Sequence, residues 1–139
     1  MEWLGQNKEK PNSEQLDLFG DSKELKRYQR VDGAIVNKDL NWTIQSKGGT
    51  GRVFYRSAEA MSESLFDMNT DKLYETTGGK KNRRETLPKE AQKAFIVGET
   101  VANFELKDKE IEGSTSQKNQ QIVESISSSG KKARRLLPW

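Results

Sequence analysis

The sequence predicts an α+β fold behind a disordered N-terminal arm, and three observations carry that expectation. Residues 1–30 are polar and charged, with Pro11, Asn12, Ser13 and Gly20 as punctuation and no sustained apolar period. Three short runs rich in β-branched and aromatic residues follow: Ala34-Ile35-Val36, Asn41 to Gln45 and Arg52 to Arg56. From Ala58 onward the apolar spacing turns helical. The expected architecture is a flexible arm over 1–30 and a single domain over 31–139, in which a small antiparallel sheet of two to three strands precedes three to four helices.

Each element has a local reason. Ser46-Lys47-Gly48-Gly49-Thr50-Gly51 separates the second and third runs, and its glycines suit the positive φ of a hairpin reversal. So small a sheet is marginal alone and needs helices packed on it. Ser57 is placed as the N-cap of a helix that carries Ala58, Met61, Leu65 and Phe66 and stops near Met68, with Glu59 in its first turn. Asn69 caps a second, short helix, with Leu73 and Tyr74 facing the core and Gly78-Gly79 ending it. Pro88 fits the first turn of the next helix, where a missing N–H costs nothing.

In that helix Ala91, Ala94, Phe95, Gly98, Val101 and Ala102 follow helical spacing, and Ile96, Val97 and Phe104 widen the apolar surface. Such a helix belongs at the centre of the domain or in a homodimer contact over 91–104, with Gly98 permitting a close approach. Gly113 to Gln117 reads as a polar break. A last helical segment over 118–137 places Ile122, Ile126, Ala133, Leu136 and Leu137 on one stripe, and the poor helix formers Ser127-Ser128-Ser129-Gly130 leave it either one continuous helix or two halves joined at a weak point. The apolar end, Leu136-Leu137-Pro138-Trp139, is expected to pack on the domain or on a partner.

The 139 residues are 32% hydrophobic and 32% charged, which allows one domain with a lean core. Histidine and cysteine are both absent, so the commonest general base, the commonest nucleophile, thiolate metal sites and disulfides are absent with them. The Asp and Glu residues fall at helix starts and on polar faces. A non-enzymatic protein with no metal and no cofactor is the expectation. No apolar run approaches the roughly 18 residues of a membrane span, and Met1 to Gly5 lacks the pattern of a signal peptide. The default is a cytoplasmic protein of a bacterium, phage or plasmid, without a membrane partner.

The formal charge is +3, mild for a protein that coats nucleic acid. Its distribution is more informative. Lys80, Lys81, Arg83 and Arg84 cluster in a glycine-led basic loop over 78–86, Lys131, Lys132, Arg134 and Arg135 form a second quartet, and Lys23, Lys26, Arg27 and Arg30 a looser third. The first two are candidate nucleic-acid contacts, because flexible glycines beside cations can follow a phosphodiester backbone.

Within the arm, Gln15-Leu16-Asp17-Leu18-Phe19 sets three large apolar side chains behind a lead glutamine. This pentapeptide resembles the linear motif by which bacterial polymerases, mismatch-repair proteins and other replication-associated proteins dock on the DNA sliding clamp, and all five positions match. The resemblance implies that Leu18 and Phe19 enter an apolar pocket of the clamp, Leu16 packs beside them, Gln15 makes orienting polar contacts and Asp17 stays in water. The function it implies is that of an accessory or regulatory protein of DNA replication or repair, with the basic loop touching adjacent duplex DNA. Two other classes fit the same residues: a small dimeric DNA-binding regulator of a phage or mobile element, and a protein-interaction or inhibitor module whose basic clusters only solubilise it.

Overall fold

Residues 22–138 are described in a computed structural model of the chain, with side chains from residue 33 onward. They form five α-helices and one short turn: α1 (Ser22–Ser46), α2 (Val53–Phe66), α3 (Thr70–Thr77), a 3-10 turn (Arg84–Thr86), α4 (Lys89–Asp108) and α5 (Thr115–Leu136). There is no strand among the described residues, so the expected α+β fold with its antiparallel sheet is incorrect. The first two presumed strands lie inside α1, and the third spans the start of α2.

The reason is periodicity. Leu40, Thr43 and Ile44 are buried while Ile35 and Trp42 are exposed, which is the three- and four-residue spacing of one helix face. Strand preference spans only about 1 kcal/mol across residue types, whereas burying one large aliphatic side chain contributes about 1.5–3 kcal/mol. The glycine-dense segment does adopt positive φ, 96° at Gly48 and 63° at Gly51, but it reverses the chain between two helices. There the Gly49 N–H donates to the Ile44 carbonyl at 2.9 Å, closing the end of α1.

α1 begins at Ser22, within the stretch expected as arm. Ser57 is not a cap: α2 begins at Val53, and Ser57 is buried on its inner face with Val53, Ala60, Met61, Ser64 and Leu65. Asn69 caps α3 as expected, its side chain accepting the Lys72 N–H at 2.8 Å, and Gly78 ends that helix at φ 76°. Pro88 immediately precedes α4. The segment read as a polar break holds a capping box: the Ser114 hydroxyl accepts from the Gln117 N–H, and the Gln117 side chain accepts from the Ser114 N–H.

α2, α4 and α5 enclose the core, where Met61, Leu65, Phe95, Leu106, Ile122 and Ile126 are buried together. α3 packs beside α2, and α1 lies on α4 and the 3-10 turn. α1 and α4 run parallel, because Asn37 bonds to Glu99, Thr43 to Asn103, and Lys47 to the Lys107 carbonyl. The face of α4 that carries Ala91, Ala94, Phe95 and Gly98 is buried within this one chain, while Phe104 stays 72% exposed.

α5 runs unbroken through Ser127 to Gly130. Those small residues are where α2 comes closest. A Cβ on Gly130 would sit 2.6 Å from the Ser64 Cβ, and the Ser64 hydroxyl donates to the Ser127 carbonyl at 3.0 Å. Gly33 in α1 is the opposite case, since a Cβ there would meet only the Ile96 side chain at 3.8 Å, an ordinary contact.

The same substitution should therefore act with opposite signs at these two glycines. Gly130→Ala forces α2 and α5 apart and is expected to lower stability by about 1–3 kcal/mol. Gly33→Ala relieves the entropy penalty of a helical glycine and is expected to raise it by about 0.5–1 kcal/mol. Urea unfolding of both variants checks the pair.

Candidate functional site

Between α3 and α4 the chain is built by its own hydrogen bonds. The Lys80 N–H donates to the Thr86 hydroxyl at 2.8 Å, and that hydroxyl donates to the Arg83 carbonyl. The Arg83 N–H donates to the Lys80 carbonyl at 3.0 Å, and Asn82 takes a left-handed φ of 63° between them. Gln92 of α4 reaches back to donate to the Leu87 carbonyl at 2.8 Å. The expected flexible basic loop is thus a tied turn that aims Arg84 at the bundle.

Arg84 meets Glu99, whose residue surface is only 2% exposed. Its Nη1 and Nη2 donate to the two carboxylate oxygens at 2.9 and 2.7 Å, a bidentate fork. Asn37 of α1 donates to the same carboxylate at 3.1 Å. The guanidinium carbon lies 4.3 Å from the centroid of the Phe95 ring, a cation–π contact. Burial works against the Arg84 charge, but the hydrogen bonds and charge of Glu99 outweigh it and hold the guanidinium above its ordinary pKa. Beside this junction is a cavity of about 290 Å³ lined by Gly33, Asn37, Asn82, Arg84, Gln92 and Phe95, among others.

The fold brings the two predicted basic quartets to one end of the bundle. Lys81 pairs at 3.2 Å with Asp71 in the first turn of α3, and Arg134 pairs at 2.7 Å with Asp67 at the end of α2. Most of these cations are engaged at home. Arg83 pairs with Glu85 at 3.0 Å, and Lys132 with Glu105 at 2.6 Å. Lys80, Lys131 and Arg135 have no acidic partner among the described residues. The Gln15 to Phe19 motif and Trp139 lie outside the described residues.

Sequence reasoning did not find Glu99, Asn37 or the cavity. The available signal was a glutamate in the apolar stretch of α4, one turn after Phe95. Among the described residues no group of three or more acidic side chains could hold a metal ion, and no helix is long and apolar enough to cross a membrane. No protein family, curated protein or solved structure matches the chain.

Two tests follow from these charges. Arg84→Ala leaves a buried carboxylate facing only the Asn37 amide and should cost about 3–5 kcal/mol in chemical denaturation, most of it recovered when Glu99→Leu is added. At Glu105, hydrogen bonds from Lys132 and Ser129 hold the carboxyl below its ordinary pKa. A depressed folded value means that its contribution is complete above the unfolded value and disappears as pH falls through the folded one. The difference in melting temperature between wild type and Glu105→Gln should therefore shrink on acidification through the carboxylate range.

Proposed function

We propose that this protein is a non-enzymatic accessory or regulatory factor of DNA replication or repair that docks on the DNA sliding clamp through Gln15, Leu16, Asp17, Leu18 and Phe19. The observation that carries the reading is the match at all five positions of the clamp-docking motif. Buried apolar anchors supply most of the energy in such peptide contacts, about 1.5–3 kcal/mol for each large side chain removed from water. Ordering the peptide offsets part of this, so micromolar affinity is expected.

The motif stands just ahead of Ser22, where α1 begins, so a docked motif holds the helical body close to the clamp. Phosphate contact is a secondary part of the proposal. It falls to Lys80, Lys131 and Arg135, exposed cations without an acidic partner among the described residues, and to exposed pairs that exchange partners at small cost. Tethering raises local concentration, so contacts too weak to coat free DNA become effective beside a loaded clamp.

The full chain should bind purified bacterial clamp in calorimetry, and Leu18→Ala with Phe19→Ala should weaken binding by about a hundredfold, the cost of two lost anchors. Far-UV circular dichroism of the double variant should match wild type. Absence of binding by the wild-type chain overturns the reading.

A further inference from the structure

The tied turn, the buried fork and the small residues of α1 together make a shaped hollow, and its walls have a chemistry of their own. Gly33 sits in mid-helix, where glycine is unfavourable, with no positive φ and no close approach that demands it. Its effect is to keep space, since Gly33 forms the α1 side of the cavity with Ala34 and Asn37. At about 290 Å³ that space is near the lower end of small-ligand sites, which start at about 300 Å³.

Arg84 forms another wall, with its side chain 31% exposed. One edge of its guanidinium is fixed by Glu99 and one face rests on Phe95, so the opposite face is what remains for a ligand. A guanidinium held in plane on two sides is a rigid, flat, cationic platform, the surface on which unpaired bases stack. The rim offers amide edges. Asn82 makes no side-chain hydrogen bond among the described residues, and Gln92 uses its N–H groups on backbone carbonyls, which leaves its Oε1 as an acceptor. Paired donor and acceptor edges of this kind match the hydrogen-bonding edge of a base. Lys80, in the same turn, is an exposed cation for the attached phosphate.

We propose that the cavity between α1 and the turn at 82–85 binds an unpaired nucleobase, stacked on Arg84 and read at its edge by Asn82 and Gln92. The base comes either from a free nucleotide or from a single strand, and the size of the cavity excludes a base pair. This site is independent of the clamp motif, so its failure would leave the clamp reading untouched.

Calorimetric titration of the full chain with dAMP, adenosine, single-stranded oligo(dA) and a duplex of equal length tests the site. Adenosine and dAMP should both saturate, and a single-stranded source is indicated if oligo(dA) binds more tightly than dAMP. Gly33→Leu, which fills the hollow from the helix side, should weaken binding about tenfold or more. Asn82→Gly keeps the left-handed backbone while deleting the amide, and should weaken binding several-fold with an unchanged melting temperature. Failure of wild type to bind dAMP and oligo(dA) at about 1 mM, the weak limit for such sites, overturns the proposal. So does duplex binding as tight as single-strand binding, or affinity that Asn82→Gly leaves unchanged.

Discussion

The Glu99 carboxylate, enclosed where α1, α4 and the 3-10 turn meet, is the constraint from which the rest of this end of the molecule follows. A buried carboxylate must be met by hydrogen bonds, and three donors on two other elements meet it: two N–H groups of Arg84 and one of Asn37. A buried pair is weak as a source of net stability, because apolar side chains of the same volume often do as well. Its geometry is less replaceable. The bidentate fork fixes the rotation of Arg84 and the register of the turn, and the Asn37 amide fixes the height of α1 along α4. That register is then repeated lower on the same seam, where the Thr43 hydroxyl donates to Asn103 at 2.5 Å and Lys47 reaches the Lys107 carbonyl at 3.0 Å.

The three-helix body is held differently. Its closest contact depends on absence of bulk, with Gly130 and Ser64 allowing α2 and α5 to meet almost backbone to backbone. A chain with few large apolar residues gains packing by shortening distances, since dispersion falls steeply with any gap. The serines on these helices serve that purpose, and two of them, Ser57 and Ser125, leave their hydroxyls without a partner among the described residues. The hydrogen-bonded seam of α1 and the close-packed seam of α2 and α5 are thus two solutions to the same lean composition.

What was legible in the sequence was local chemistry. Asn69, Gly78 and Pro88 mark helix ends through their own side chains or φ preferences, and they do so in the folded chain. Ser114 with Gln117 obeys the spacing of a capping box and was equally readable, yet the surrounding polar residues masked it as a break. The presumed strands are absent because runs of three to five residues carry only composition, while the decisive pattern is longer: Leu40, Thr43 and Ile44 in one helix, Val53, Ser57, Ala60 and Ser64 in the next. The Ser127 to Gly130 segment left one helix or two halves open, and the structure has one. Poor intrinsic helix formers were needed there for the contact with α2, and tertiary packing overrode propensity.

Ion pairing was the least legible part, because the acids that matter are remote in sequence. Glu99 lies 15 residues from Arg84 and Glu105 lies 27 from Lys132, whereas Arg83 with Glu85 and Lys72 with Glu75 are close neighbours in sequence. Geometry divides the predicted cations into two kinds. Lys81 and Arg83 pair with carboxylates at the surface, where an ion pair is worth about 0–1 kcal/mol and another anion can compete for the cation. Arg84 cannot leave Glu99 without stranding a buried charge. Arg84 is therefore a fixed plane, whereas Lys80 in the same turn has no acidic partner among the described residues. A basic run in a sequence is for this reason a poor measure of charge available to a partner; the available charge is what remains after the fold has satisfied its own acids.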